Sequence, residues 1–120
     1  MVDIGIITEY CIKKKGAEET FPFDEVTLVY KVMGKMYALV PTAREEMTIN
    51  LKCDPEKAVL LREEYGGIRP GFHMNKKHWN TIHLDGSVPD KLVFELIDHS
   101  YDLVVKSLTR KLRDELHLLK

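Results

Sequence analysis

Residues 66–84 contain the residue types in this chain that are best suited to bind an anion. The segment has no Asp or Glu, whereas it includes Arg69, Lys76 and Lys77. Phosphate groups are bound by cationic donors, and a nearby carboxylate would compete for those donors. We therefore expect contacts with nucleic acid within residues 69–80.

Other side chains of residues 69–80, called here the 69–80 segment, would complete such a surface. The Trp79 ring could stack on a base if it is exposed, and histidines donate hydrogen bonds even when neutral. The asparagines could reach base edges or the sugar-phosphate backbone. The candidate nucleic-acid-binding residues are Arg69, His73, Asn75, Lys76, Lys77, His78, Trp79 and Asn80.

A purely structural explanation of these residues is also open. Trp79 could pack on the helices, Arg69 could pair with Glu63 or Glu64, and the lysines could keep a turn soluble. The pI of the whole chain is about 6.5, whereas dedicated duplex-binding domains are commonly basic throughout. Any affinity for nucleic acid should therefore be modest.

The three histidines of this region, His73, His78 and His83, recur at intervals of five. Helical neighbours lie three or four residues apart, and an odd step along a strand places side chains on opposite faces. No Asp or Glu within the block could complete a ligand set. We expect no bound metal.

The residues that could support catalysis lack the necessary surroundings. Cys53 is expected on the inward face of a strand, and Ser100 lies in a helix without the sharp turn that exposes a serine nucleophile. Asp98 and Asp102, on either side of His99, are expected to be an exposed carboxylate pair. Because neither GxGxxG nor GxxxxGK[ST] occurs, we expect no nucleotide cofactor and no enzymatic activity.

Short helices and strands must position these residues. Apolar residues at helical spacing predict a first helix over residues 3–15, with Asp3 as its cap and Gly16 as the left-handed residue after it; they are Val2, Ile6, Ile7, Tyr10 and Cys11. Residues 26–33 and 36–40 predict two strands joined by a Gly34-Lys35 turn. That pairing would place on the core face Leu28, Tyr30, Val32, Tyr37 and Leu39, and on the other face Val29, Lys31, Met33, Met36 and Ala38.

The chain after this hairpin predicts two more strands, further helices and a turn. A third strand over residues 48–53 should face Ile49, Leu51 and Cys53 inward and Thr48, Asn50 and Lys52 outward, and a fourth over residues 79–84 should face Ile82 and Leu84 inward. A helix over residues 55–65, capped by Asp54, should bury Val59, Leu60 and Ala58. Residues 69–71 resemble a turn. A long helix should begin near Asp90 and break near Ser107, where Thr109 can cap another helix.

The order of elements predicts an α+β fold, with a mainly antiparallel sheet packed by helices in the order α-β-β-β-α-β-α(α). A doubly wound fold is excluded because no strand is followed by a glycine-rich turn and a helix.

The composition is that of one compact domain over residues 1–120. The chain is 44% hydrophobic and 31% charged, with a net charge of -1. Its longest apolar run, residues 36–40, is far shorter than the roughly 20 residues that cross a bilayer. With no basic leader at the N-terminus and no CxxC spacing, we expect a cytoplasmic protein in which Cys11 and Cys53 are buried thiols.

Five sequence strings resemble the MmcQ/YjbR family. They cover most of the chain in the family's order, and the fourth is the most specific of them: Gly16–Phe23, Gly34–Leu39, Leu51–Glu56, Arg69–Thr81 and Glu95–Val104. The resemblance implies a small α+β domain similar in topology to frataxin-like and secretion-chaperone-like folds. It also implies DNA binding through a double-wing arrangement. The chain departs from the family pattern at Lys13, Lys14 and Lys15 and at its leucine-rich C-terminus.

The C-terminal leucines suggest a second function. Leu108, Leu112, Leu116 and Leu119 form a stripe at helical spacing. Left uncovered, the stripe would bind a partner protein or a second copy through Leu112, Leu116 and Leu119, as a protein-interaction or chaperone-like module would. Alternatively, the leucines complete the domain's own core. Exposure of Leu116 and Leu119 would favour a partner, whereas an exposed Trp79 would favour nucleic acid.

Overall fold

The computed structural model describes residues 3–71 and 74–119. The described chain forms four helices and one six-stranded sheet. In chain order the elements are α1 (Ile4–Ile12), β1 (Ala17–Thr20), β2 (Thr27–Val32), β3 (Lys35–Pro41), β4 (Thr48–Lys52), α2 (Pro55–Glu64), β5 (Ile68–Pro70), β6 (Trp79–His83), α3 (Asp90–Ser107) and α4 (Arg110–Leu118). None of these helices is long and apolar enough to cross a membrane.

The sheet has the strand order β1-β2-β3-β4-β6-β5, and every neighbouring pair is antiparallel. This arrangement confirms the predicted α+β fold and the order of its main elements. Two short edge strands, β1 and β5, add to it. Residues 17–20 are too polar to show the apolar alternation of a strand, and residues 69–71 had indicated a turn because they include proline and glycine. Each of these two edge strands exists through its hydrogen bonds with one neighbouring strand.

Helix α1 begins as predicted, because the Asp3 carboxylate accepts a hydrogen bond from the Gly5 amide at 2.6 Å. It ends at Ile12, three residues before the predicted end, and Gly16 has a φ of 72°. Ile7 and Cys11 are fully buried, whereas Ile6 is 54% exposed. Val2 of the predicted stripe lies outside the described residues.

The hairpin between β2 and β3 turns one residue earlier than predicted. Met33 and Gly34 both have positive φ, 50° and 85°, and Val32 pairs directly with Lys35. Two central residues with positive φ are characteristic of a type I′ turn, whose twist matches that of the flanking strands.

A bulge in β3 corrects the predicted faces of this hairpin. Tyr30 pairs with Ala38 and Lys31 with Met36, so Tyr37 is an extra residue without a partner on β2. Tyr37 and Ala38 therefore both belong to the core on the helix side of the sheet. Leu39, predicted on the same face as Tyr37, instead packs with Val29 and Trp79 on the opposite face.

Helix α3 stabilises the bulge through Ser100. This side chain is fully buried, and its hydroxyl donates a hydrogen bond to the Tyr37 carbonyl at 2.5 Å. The same oxygen accepts a hydrogen bond from the Lys52 amide at 2.9 Å. Ser100 thus joins β3 to β4 beyond the paired part of these strands.

The main core lies between the sheet and helices α1 and α3. The residues predicted to point inward from these strands do face this core. They are Ile49 and Leu51 of β4, Cys53 directly after it, Ile82 of β6 and Leu84 directly after it. Helix α2 was predicted less well: it begins after the Asp54 cap, but it buries Ala58 and Leu61, whereas Val59 is 49% and Leu60 64% exposed. Four consecutive apolar residues in α2 left its inward face ambiguous.

The C-terminal break occurs as predicted. Helix α3 ends at Ser107, and the Thr109 hydroxyl accepts a hydrogen bond from the Leu112 amide at the start of α4. Leu108 and Leu116 are buried in the main core.

Candidate functional site

The 69–80 segment forms the hairpin between β5 and β6, called here the basic hairpin. Arg69 lies on β5 opposite Thr81, and Asn80 lies on β6 opposite Pro70. Residues 75–78 belong to the connecting loop. His73, one of the predicted contact residues, lies outside the described residues.

Arg62 of α2 holds the basic hairpin against the helix. Its Nε donates to Asn80 Oδ1 at 2.7 Å, and its guanidinium also donates to the carbonyls of Lys76 and Trp79. The hairpin adds its own contacts, since the Lys76 ammonium donates to the Gly71 carbonyl at 3.1 Å. Arg62 had no predicted role, because its position in the last turn of a helix carries no signal of this distant contact.

The Trp79 ring of the basic hairpin is buried. The residue is 9% exposed and packs with Val29 and Leu39, and Met36 and Met74 cover this cluster. The packing is close: a Cβ atom at Gly71 would lie 2.8 Å from the Trp79 Cβ. The prediction that Trp79 stacks on a base is therefore wrong for this conformation.

Asn80 is also inaccessible, with 2% of its surface exposed and its amide oxygen bound to Arg62. Its predicted contact with base edges or backbone is therefore wrong as well. His78 is half-buried, and its carbonyl accepts a hydrogen bond from the Cys53 amide at 2.8 Å. Asn75 is exposed, and its side-chain oxygen accepts from the Lys77 amide at 3.0 Å.

Three cations of the basic hairpin, Arg69, Lys76 and Lys77, remain exposed. Among the described residues, no carboxylate oxygen lies within 4.0 Å of their side-chain nitrogens. The structural alternative, in which Arg69 pairs with Glu63 or Glu64, is therefore wrong. Of the predicted contact residues, Trp79 and Asn80 are therefore inaccessible, whereas the three cations are accessible.

A second feature lies on the open face of the sheet, the side opposite α1 and α3. Direct pairing across the strands places Val29, Leu39, Asn50, Thr81 and Arg69 in one row. The row crosses a hollow of about 500 Å³, called here the open-face cleft. It is lined by Phe23, Asp24, Thr27, Met36, Leu39, Pro41, Arg44, Thr48, Asn50, Met74, Asn75 and Thr81.

The floor of the open-face cleft is polar and almost completely buried. Thr48, Asn50 and Thr81 are 3%, 7% and 6% exposed. The Thr81 hydroxyl donates to Asn50 Oδ1. Within the described chain, Thr48 Oγ1 is a buried side-chain oxygen without a hydrogen-bond partner. Thr48 and Asn50 were predicted to point away from the core, and they do, but the sequence did not indicate that this face is buried.

A smaller hollow of about 180 Å³ adjoins this floor. Arg44, Thr48 and Thr81 line both hollows, and Arg69 and His83 line the smaller one. His83 Nδ1 lies 3.6 Å from Glu46 Oε2.

The two thiols are buried and unpaired, as predicted. Burial raises the pKa of Cys11 to about 12 and that of Cys53 to about 11. Since the thiolate is the reactive form, both are poor nucleophiles at neutral pH.

The polar residues of α3 have structural contacts. His99 Nε2 accepts a hydrogen bond from the Asp54 amide at 3.2 Å. Asp102 is exposed, as predicted, whereas Asp98 is half-buried and accepts hydrogen bonds from Tyr10 and Lys14. In the parts of the chain that the structure describes, no three His, Cys, Asp or Glu side chains lie close enough to hold a metal ion.

The lysines at the end of α1 are engaged with neighbouring elements. Lys13 pairs with Glu9 at 2.7 Å, Lys14 with Asp98, and the Lys15 ammonium donates to the His117 carbonyl at 3.0 Å. Lys14 therefore connects the end of α1 to α3 and Lys15 connects it to α4, whereas the Lys13–Glu9 pair is local to α1.

Comparison with known proteins assigns the chain to a family. The YjbR family model matches residues 12–103. An Escherichia coli K12 protein named YjbR is 37% identical over 110 residues, which cover 92% of this chain and 93% of that protein. A Bacillus subtilis protein named YyaQ is 42% identical over 111 residues, covering 81% of this chain and 93% of that protein.

A solved structure agrees with these sequence relatives. The crystal structure of Deinococcus radiodurans protein DR2400 superimposes with a TM-score of 0.90 and 43% identity, covering 98% of this chain and 90% of that chain. The names of these three proteins state no ligand or activity. The fold, the motifs and the matches together show that this chain belongs to the YjbR family.

Proposed function

We propose that this protein binds nucleic acid weakly, through contacts between phosphate groups and the cations of the basic hairpin. The observation that carries the proposal is the exposure of Arg69, Lys76 and Lys77 without a carboxylate partner among the described residues. Such cations attract phosphate at no cost of breaking an existing ion pair. Asn75 and His78, at the same loop, are available to donate further hydrogen bonds to the phosphate backbone.

The proposed binding has little dependence on base sequence. Sequence is read through contacts with base edges, whereas phosphate contacts set position and contribute affinity. The two residues best suited to contact bases, Trp79 and Asn80, are buried. Three phosphate contacts predict a slope of about -2.7 in a plot of log affinity against log salt concentration.

The proposed role is non-enzymatic. Nucleophilic catalysis needs an activated side chain with a base beside it. Cys11 and Cys53 have raised pKa values, and the Ser100 hydroxyl joins two strands. His99 accepts a backbone hydrogen bond. These contacts favour a binding domain over an enzyme.

Replacement of Lys76 and Lys77 by alanine tests the proposal. We expect Lys76→Ala/Lys77→Ala to weaken binding to duplexes of unrelated sequence alike and to reduce the salt slope by about 1.8. Fluorescence anisotropy with labelled duplex and single-stranded DNA and RNA, over a series of salt concentrations, measures both quantities and identifies the preferred nucleic acid.

Two further variants make the measurement specific. Lys91→Ala/Lys111→Ala removes the same charge from exposed positions on α3 and α4 and should leave the salt slope unchanged. The Lys76 ammonium also contacts Gly71, so its removal could distort the loop. Lys77→Ala alone is the control for this effect, because it leaves that contact in place. Equal affinities for the hairpin variants and the wild type would refute the proposal.

The structure does not favour the second function, binding of a partner protein through the C-terminal leucines. Leu116, the centre of the predicted surface, is 3% exposed and belongs to the main core. Leu118 and Leu119 are 82% and 46% exposed. Two exposed leucines form a much smaller patch than the roughly 800 Å² that each partner buries in a stable interface.

A further inference from the structure

The open-face cleft divides into an apolar part and a polar part. Met36, Leu39 and Met74 supply apolar surface beside the buried Trp79 ring, and Phe23 lies at the rim with 65% of its surface exposed. The floor next to them consists of Thr48, Asn50 and Thr81. A few polar groups beside a mainly apolar wall are typical of sites that bind small organic molecules.

The Thr48 hydroxyl is the strongest indication of a ligand. A buried polar atom without a hydrogen-bond partner destabilises the folded state, and native proteins contain few of them. Thr48 lines both hollows of the open face. Rotation about χ1 moves the hydroxyl to another staggered position on Cβ, so the hydroxyl can turn toward a bound acceptor.

The charges near the floor indicate an anionic acceptor. Arg44 lines both hollows, and Arg69 lies in the same row of the sheet as Asn50 and Thr81. The one carboxylate that lines the smaller hollow, Glu46, lies beside the His83 ring at 3.6 Å. Arg69 is exposed and has no carboxylate oxygen within 4.0 Å of its side-chain nitrogens among the described residues, so it favours an anion at the smaller hollow. Guanidinium geometry suits a carboxylate.

Among the described residues that line the open-face cleft, Asp24 is the carboxylate. Asp24 lies in the β1–β2 connection, and its Oδ1 accepts hydrogen bonds from the amides of Val26 at 2.9 Å and Thr27 at 2.7 Å. Its Oδ2 accepts from the Thr27 hydroxyl at 3.2 Å. The Asp24 carboxylate is therefore already engaged by hydrogen bonds within its own connection.

We propose that the open-face cleft binds a small organic carboxylate with an apolar body. The apolar body lies against Met36, Leu39 and Met74. The carboxylate accepts hydrogen bonds from the Thr48 hydroxyl and from the side-chain amide nitrogen of Asn50. The side-chain oxygen of Asn50 already accepts a hydrogen bond from Thr81. The volume of about 500 Å³ is within the range of small-molecule sites. Arg69 is shared with the proposed phosphate contacts, whereas Lys76 and Lys77 are not among the described residues that line either hollow.

Titration with a matched pair of compounds tests the proposal. 3-Phenylpropanoate has an apolar ring and a carboxylate, whereas 3-phenylpropan-1-ol keeps the ring and replaces the carboxylate by an alcohol. We expect the acid to shift the backbone amide signals of residues 39, 48, 50 and 81 in ¹H–¹⁵N spectra, with a Kd of about 1 mM or tighter. The alcohol should bind at least about tenfold more weakly.

Thr48→Val gives a second test with opposite expected signs. Valine has the shape of threonine without the hydroxyl, so the unliganded variant should unfold at a higher urea concentration than the wild type. The same variant should bind 3-phenylpropanoate about tenfold more weakly. Thr20→Val makes the same chemical change on β1, outside the residues that line the cleft, and should leave ligand affinity unchanged.

Three outcomes would overturn the proposal. They are shifts confined to residues outside the cleft, equal affinity for the acid and the alcohol, and unchanged acid affinity in Thr48→Val. None of these measurements depends on Lys76 or Lys77, so the cleft and the phosphate contacts can fail independently.

Discussion

His99 connects the charge state of one side chain to the stability of the fold. Its Nε2 accepts a hydrogen bond from the Asp54 amide, at the start of α2. Only the neutral imidazole can accept at that nitrogen. Burial lowers the pKa of His99, and the positive charge of Lys57 lowers it further, against smaller opposing effects of Asp54 and Asp102.

We predict that the protein loses stability as pH falls below about 6.5, the unperturbed histidine pKa. The unfolded chain binds a proton on His99 in this range, whereas the folded chain resists it, so the free energy of unfolding rises with pH. The stabilising effect is complete above about 6.5 and is lost as pH falls through the lower folded pKa. Urea unfolding between pH 7.5 and 5 measures this dependence.

His99→Gln is the matched variant, since its amide oxygen can accept from Asp54 without titrating. Its unfolding free energy should depend less on pH than that of the wild type. An equal dependence in both proteins, or a directly measured His99 pKa above 6.5 in the folded state, would contradict the prediction.

The sequence predicted the charge environment of the candidate contact residues but not the burial of all of them. The absence of acids in residues 66–84 indicated unneutralised cations, and Arg69, Lys76 and Lys77 have that property in the fold. The burial of Trp79 was not predictable, because its position on β6 is compatible with exposure or packing. The choice depends on Val29 and Leu39, about 40 to 50 residues earlier in the chain.

At the scale of elements, the β2–β3 hairpin depends on its turn. Met33 and Gly34 have positive φ, and the Tyr37 bulge follows three residues later. This register sends Tyr37 to the core, where its hydroxyl donates to the Cys11 carbonyl at 2.6 Å. It also sends Leu39 to the open-face cleft. A change in the turn therefore affects both faces of the sheet.

We predict that Gly34→Ala destabilises the protein by about 1–2 kcal/mol, because residues with a side chain are strained at positive φ. A Cβ atom at Gly34 would meet no other atom within 4 Å, so backbone strain alone accounts for the effect. Gly66→Ala is the matched control: it also has open space, but its φ is not positive. It should change stability by less than about 0.5 kcal/mol or stabilise slightly.

Urea unfolding of the two variants distinguishes these effects. Equal stabilities for Gly34→Ala and Gly66→Ala would show that the turn tolerates a side chain and that its geometry differs from the one described.

Elements with strong local signals were predicted from the sequence. Asp54-Pro55 gives the start of α2, and Thr109 gives the start of α4. The edge strands β1 and β5 were not predicted, because an edge strand needs no apolar face of its own when a neighbour supplies its hydrogen bonds. The inward face of α2 was also wrong, since Ala58, Val59, Leu60 and Leu61 are all apolar.

At the scale of the whole molecule, the two ends of the chain pack together. A Cβ atom on Gly16 would lie 2.6 Å from Leu116 Cδ1 and 3.3 Å from Leu119 Cδ1. Tyr101 of α3 reaches the same region, where its hydroxyl donates to the Lys15 carbonyl at 2.6 Å. Helix α4 therefore closes the core beside the end of α1.

We predict that Leu116→Ala destabilises the protein by about 2–5 kcal/mol, because the residue is buried and its loss leaves a cavity. Leu118→Ala, two positions away on the same helix, should change stability by less than about 0.5 kcal/mol, since Leu118 is 82% exposed. Chemical unfolding measures both. Similar values for the two variants would mean that α4 does not pack as described.

The sequence by itself determined the fold class, the N-terminal caps of α1, α2 and α4, the inward faces of β4 and β6, and the block of residues without acids. These features follow from local periodicity and from residue types, which act within a few positions of the chain. Tertiary structure alone decided the burial of Trp79, the Arg62 contacts with the basic hairpin and the polar floor of the open-face cleft. Each of these depends on residues from separate strands or helices, and no local pattern encodes which distant neighbour will cover a side chain.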